Sequence, residues 1–245
     1  MPLPHLHLLP GMHGTPELYR PFTDALGNAP HTATHYPDDC SPTAESVLAA
    51  IADSTPTDRP YVLLAESFSG MFAALYAATR PDNLVGLVLV NTFLKLPMGP
   101  LTCGVTQVKV RPPWVLSSLL LVDGDSSPEL RDLTRSIVGR LDPRLVAGRF
   151  RLLYRTDATR RAARITAPTL VLHGANDVFV WPYNSRRIER HIPGSQRVKL
   201  PGPHLLVQTH PQESLRTIEQ WWERHGIVQS PPPQGEGLIA GGPTA

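Results

Sequence analysis

The chain has 245 residues, 41% hydrophobic and 18% charged, with a formal net charge of +2, which suits a soluble globular protein built on one large core. No run approaches the roughly 18 apolar residues of a membrane span, and the two cysteines, Cys40 and Cys103, lack metal-ligand spacing and are expected as reduced thiols. The charge is uneven: residues 95–164 carry 13 Lys or Arg against 6 Asp or Glu, while the rest carries 10 against 15.

The opening MPLPHLHLLPG has no basic n-region and no long apolar run, which predicts a cytoplasmic protein without a secretory leader. A first strand is expected at His5–Leu9, followed by a loop in which Gly11 and Gly14 permit backbone conformations that expose N–H groups. In an acyl-transfer site the Met12 N–H would serve there as an oxyanion donor; a glycine-rich turn with no ligand is the alternative. His13 fits either a pocket wall or a solvated loop. Thr15-Pro16 and Ser41-Pro42 read as helix starts, an N-cap followed by proline at the first helical position, on either side of a strand at Thr32–Tyr36.

Tyr61–Ala65 forms the next apolar strand and runs through Glu66-Ser67-Phe68-Ser69-Gly70 into the helical MFAALYAATR. A nucleophile elbow needs such a strand–turn–helix, with small residues two before and two or three after the nucleophile. Ala65, Ser69 and Gly70 supply them around Ser67, and Phe68 N–H becomes the second oxyanion donor. The bland reading is a serine capping an ordinary helix. A strand at Val85–Asn91 follows, its LVGLVLV lacking polar alternation, as strands covered on both faces do.

Between Phe93 and Ile165 the alternation stops. Helices are expected at Pro113–Val122, Pro128–Arg140 and Pro143–Tyr154, a helical cap over residues 95–164 inserted into a core of 1–94 and 165–228. Two further strands, Thr169–His173 and Gln196–Leu200, end in loops carrying Asp177 and His204, where open parallel sheets place their sites. The last helix, Pro211 to His225, sets Leu215, Ile218 and Trp222 on one stripe. The tail 229–245 is rich in Pro and Gly and is expected to be disordered.

Ser67, Asp177 and His204 therefore follow one another in the order Ser…Asp…His, each at an expected strand end. That joint pattern is far more specific than any one residue. LLPGMHGT, AESFSG, APTLVLHGANDVF and GPHLLVQTHP together resemble the oxyanion, elbow, acid and histidine loops of the α/β-hydrolase superfamily, over residues 3–225. The resemblance implies about six mostly parallel strands with helices on both faces, the family's first antiparallel pair being absent. It also implies an acyl-serine mechanism without a cofactor. Serine at position 67 disfavours dehalogenation. By the same analogy His13, Phe93, Trp114, Leu119, Val178, Phe179 and Leu205 would line an apolar substrate pocket.

The expected activity is hydrolysis of carboxylic esters of short to medium acyl chains. Thioester or lactone cleavage by the same machinery, and a non-catalytic receptor or interaction role, are the alternatives. Ten arginines between Arg131 and Arg164 would suit an acidic acyl-carrier protein. That feature is similar to the esterases that demethylate a pimeloyl-carrier ester; a solvated face with ion pairs explains it as well. Metal binding, nucleic-acid binding and a membrane span are not expected.

Overall fold

A computed structural model describes residues 4–96, 121–122, 124 and 126–225. Most of the expected helix at Pro113–Val122, with Trp114 and Leu119, lies outside these residues, as do Cys103 and the tail. Among the described residues no helix is long and apolar enough to cross a membrane.

The core is a six-stranded, wholly parallel sheet of β1 (His5–Leu9), β2 (His31–Ala33), β3 (Tyr61–Glu66), β4 (Leu84–Val90), β5 (Thr169–Gly174) and β6 (Gln196–Leu200), ordered β2-β1-β3-β4-β5-β6. This is the α/β-hydrolase arrangement. Period-two alternation divides the strand residues between two apolar layers. Leu63, Ala65, Leu87, Leu89 and Val171 meet α2 (Ala44–Ser54), α3 (Phe68–Ala77) and α7 (Pro182–His191). Val62, Leu64, Val88, Leu170 and Leu172 meet α1 (Arg20–Leu26), α8 (Leu206–Thr209) and α9 (Pro211–Arg224). On α9 the buried stripe is Leu215, Ile218 and Trp222, with Trp221 beside them.

Between β4 and β5 lie α4 (Pro128–Arg140), α5 (Pro143–Arg155) and α6 (Thr159–Ala162). Ala158, Ala162 and Ile165 are buried in the same layer as α3. Leu130 and Ile137 of α4 form a separate cluster with Leu18 and Leu205.

Three local expectations need correction. Thr15-Pro16 does start a helix, a 3-10 one at Pro16–Tyr19 that leads into α1, but Thr15 makes no side-chain cap. α2 starts after Thr43, not at Ser41-Pro42. Thr43 Oγ1 accepts Ser46 N–H while Ser46 Oγ accepts Thr43 N–H, a reciprocal cap that satisfies both free donors; Ser41 N–H is taken by Asp39 instead. β2 ends at Ala33, although the chain runs on beside the β1 loop, with Tyr36 N–H donating to Gly14 O.

Candidate active site

In the order β2-β1-β3-β4 the connections leave β1 and β3 in opposite directions, so a crevice opens between the carboxyl ends of those strands. Ser67 sits there, between β3 and α3. Its backbone has φ 51° and ψ −113°, a left-handed conformation that a side chain bears only when the surroundings hold it. They do: Ser67 N–H donates to Val90 O, and Ser67 O accepts from Thr92 Oγ1 at 2.5 Å. A side chain at Gly70 would overlap Thr92, so helix and strand can meet only over glycine. Ser69 adds more than small size, because its hydroxyl donates to Pro10 O and pairs with Tyr36 Oη. Ser67 Oγ makes no cap bond to α3 and stays free for another partner.

That partner is His204. Its Nε2 lies 2.9 Å from Ser67 Oγ, and its Nδ1 lies 2.9 Å from Asp177 Oδ2. Asp177 is oriented in turn by Phe179 and Val180 N–H, which donate to its Oδ1 at 2.8 and 2.9 Å. The three groups singled out by sequence order thus form one hydrogen-bonded chain. Burial disfavours the imidazolium, but the hydrogen bond and charge of Asp177, with the charge of Glu66, outweigh it. The His204 pKa therefore stands above the ordinary 6.5.

Asn91, which the sequence offers only as the end of an expected strand, ties this arrangement together. Its Nδ2 donates to Pro203 O and His204 O at 3.0 and 2.8 Å, and its Oδ1 accepts Gly174 N–H at 2.7 Å. One side chain thereby joins the ends of β4 and β5 to the histidine loop. Glu66 and Gln208 were also missed. Gln208 Nε2 donates to Glu66 Oε2 at 2.8 Å, linking the residue before Ser67 to α8 behind His204. Glu66 is fully buried, and desolvation pushes its carboxyl up to about 7 despite the Gln208 hydrogen bond and the His204 charge.

The β1 loop closes the other side as a turn, Gly14 N–H donating to Gly11 O at 3.1 Å. Only Gly14 of its two glycines has a positive φ, 79°; a side chain at Gly11 would make ordinary contacts with His13 and Ser67 Cβ. Gly11 therefore does not owe its identity to backbone conformation. Among the described residues, neither Met12 N–H nor Phe68 N–H donates to a protein acceptor. His13 is buried, and burial together with the Arg149 charge lowers its pKa to about 3. Thr15 N–H donates to its Nδ1, which leaves the proton of the neutral ring on Nε2.

A cavity of about 740 Å³ opens onto Ser67 and His204. His13, Phe93, Val178, Phe179 and Leu205 border it with Met12, and the Phe179 ring stands 5.2 Å from that of His204. Trp114 and Leu119 lie outside the described residues. The far wall comes from Val138, Leu141, Val146, Phe150 and Leu153 of the inserted helices and the segment joining them. All but Leu141 lie in helices expected from the sequence, which does not say what those helices face. The arginine cluster is not one continuous face. Arg135 pairs with Asp132, Arg140 pairs with Glu17, and Arg149 is buried.

Comparison with known proteins agrees with this fold. Over 179 residues the chain is 27% identical to a Klebsiella pneumoniae (strain 342) protein named as the carbamate hydrolase RutD, covering 64% of this chain and 63% of that one. It is 28% identical over 233 residues, 84% of this chain, to a stretch making up 11% of the polyketide synthase ThaQ of Burkholderia thailandensis. The enol-lactonase of Burkholderia xenovorans LB400 superposes with a TM-score of 0.76 at 17% identity, over 91% of this chain and 92% of that one. Residues 31–201 match the family model described as serine aminopeptidase, S33, and the chain belongs to that family of α/β-hydrolases.

Proposed function

We propose that the protein is a serine hydrolase acting on carboxylic esters of short to medium acyl chains. Ser67 is the nucleophile, His204 the general base and acid, and Asp177 the group that orients and charges the imidazole. The observation that carries this reading is the 2.9 Å approach of His204 to both Ser67 and Asp177 at the mouth of a largely apolar cavity. His204 Nε2 takes the hydroxyl proton as Ser67 Oγ bonds to the acyl carbon. The oxyanion that develops lies against Met12 and Phe68 N–H. When the alkoxy C–O bond breaks, the imidazolium returns its proton to the departing oxygen. Water then enters by the same steps and releases the acid and free Ser67.

The apolar walls supplied by Phe93, Phe150 and Leu153 favour an acyl or alkyl chain over a sugar or a charged peptide. A thioester is the second reading, favoured by the likeness to a stretch of a polyketide synthase. A carrier-linked substrate, such as the methyl ester of a pimeloyl-carrier protein, would place an acidic partner near the exposed Arg144 and Arg155. The test is a hydrolysis panel across acyl length and leaving group, with thioester, carbamate, enol-lactone and carrier-linked arms and Ser67→Ala as control. Medium-chain oxygen esters are expected to give the highest kcat/KM. A panel in which every oxygen ester matches the Ser67→Ala background would overturn the proposal.

A further inference from the structure

Arg149 is unlike the other arginines of the inserted helices. Arg144 and Arg155, on the same helix, are exposed, whereas Arg149 is 2% exposed. Its Nη1 donates to Met12 O at 2.6 Å and its Nη2 to Pro37 O at 3.1 Å. The guanidinium also lies 6.0 Å from the centre of the Phe68 ring. No carboxylate pairs with it among the described residues, and burial pulls its pKa below the ordinary value, with the Asp38 charge opposing. A cation in such a place is costly unless its hydrogen bonds are needed; leucine or methionine would fill the space more cheaply. Gly14 fits this contact too, since a side chain there would run into the guanidinium.

The carbonyl it holds matters. Gly11 to Gly14 form a β-turn whose central peptide runs from Met12 to His13. That peptide is the one that flips when a turn changes from type I to type II, a change that would give His13 a positive φ, which it does not have. Gly14 N–H orients the preceding peptide, which carries Met12 N–H, through Gly11 O. Arg149 orients the central peptide through Met12 O. The same guanidinium lies by Phe68, whose N–H is the other donor of the proposed oxyanion pair.

We propose that Arg149 is a positioning residue: reaching from α5, it locks the turn at Met12 and braces Phe68, so that both oxyanion donors are in place only when the inserted helices are seated. The inference rests on the serine-hydrolase reading above. Seating of the insertion and readiness of the site are then one event, and a displaced α5 leaves a Ser67–His204 pair intact but without its electrostatic partner.

The test compares Arg149→Met, which keeps the apolar stem, with Arg149→Lys, which restores a single donor. The probe is a short trifluoromethyl ketone, which adds Ser67 Oγ to its carbonyl and leaves an oxyanion; the corresponding secondary alcohol serves as the ground-state ligand. Arg149→Met is expected to lower kcat on a short ester about 10–100-fold. It should weaken the ketone by a similar factor while KM and alcohol binding stay within about threefold, and Arg149→Lys should recover part of the loss. Unchanged ketone affinity in a folded Arg149→Met protein overturns the proposal, as does an equal loss of ketone and alcohol, which marks a merely structural role. If the methionine variant does not fold, Arg149→Lys and Arg149→Gln are judged by the same ketone-to-alcohol ratio. A wild-type protein that binds neither reversibly at Ser67 nor turns over ester would sink the hydrolase reading itself, a result distinct from any difference among the variants.

Discussion

The strand-end rim and the inserted helices border the same cavity and are built on different principles. On the rim, polar groups hold one another. Asp177 is fixed by two backbone N–H groups, His204 by Asp177 and the Asn91 clamp, and Ser67 by Val90 and Thr92. In the insertion, α4 and α5 offer the cavity apolar surface such as Val138, Val146 and Phe150, and Arg149 is the exception, reaching past the wall to the Met12 turn. Groups that must be placed to within a fraction of an ångström ride on strand ends locked by hydrogen bonds. Groups that only fill volume ride on helices, where a small shift costs little.

The contrast is broken most strongly on the rim. Ser67→Ala is expected to lower kcat/KM about 10⁶-fold, and Asp177→Asn about 10⁴-fold with the fold intact. Initial-rate kinetics beside far-UV circular dichroism check both; a drop below tenfold in either would place the chemistry elsewhere. Removing the clamp with Asn91→Leu strands Pro203 and His204 carbonyls. The expected result is a fall in kcat/KM of about tenfold and, at roughly 1–3 kcal/mol for buried groups left unpaired, a Tm lower by about 2–12 °C, read by kinetics and calorimetry.

Changes in the insertion are expected to be milder and selective. Phe150→Ala should alter the ratio of medium-chain to acetyl ester turnover by up to about tenfold, since a hydrophobic pocket discriminates weakly, with acetyl turnover nearly constant. A uniform loss across acyl lengths would show that the insertion acts on the chemistry as the rim does.

The smallest expected effect concerns pH. A protonated His204 cannot accept the Ser67 proton, so kcat/KM should fall as pH drops through a value above 6.5, in keeping with the raised imidazole. Glu66 contributes to that elevation, so Glu66→Gln should move the acid limb to lower pH; a move to higher pH would contradict the assignment of charges. Stability should respond as well. The Glu66 carboxyl binds its proton more tightly in the folded protein, at about 7, than at the ordinary 4.5 of an unfolded chain. Wild-type stability therefore declines between those values as pH rises, and Glu66→Gln removes that decline.

The same contrast explains what was legible in the sequence. Rim residues announce themselves because a parallel strand, a tight turn and a helix leave fixed spacing around Ser67, and because Asp177 and His204 follow apolar strands. Five of the strand candidates fall within a residue or two of their observed ends. Asn91 and Gln208 stay hidden, since an amide at a strand or helix end looks the same whether it clamps a distant loop or faces water. Arg149 hides among nine other arginines, although it lies four residues after Leu145 and three before Leu152 on the buried stripe of α5, a spacing that points it inward. Ser41-Pro42 misleads because Thr43, two residues on, pairs with Ser46 in the better cap.

The central claim is that Ser67 is an activated nucleophile, and the most direct measurement is peptide mass mapping after reaction with a fluorophosphonate. The expected result is a single phosphonyl adduct on the peptide carrying Ser67, absent from Ser67→Ala and formed far more slowly in His204→Ala. Labelling that persists undiminished in Ser67→Ala, or a Ser67 that never reacts in a folded protein, would contradict it.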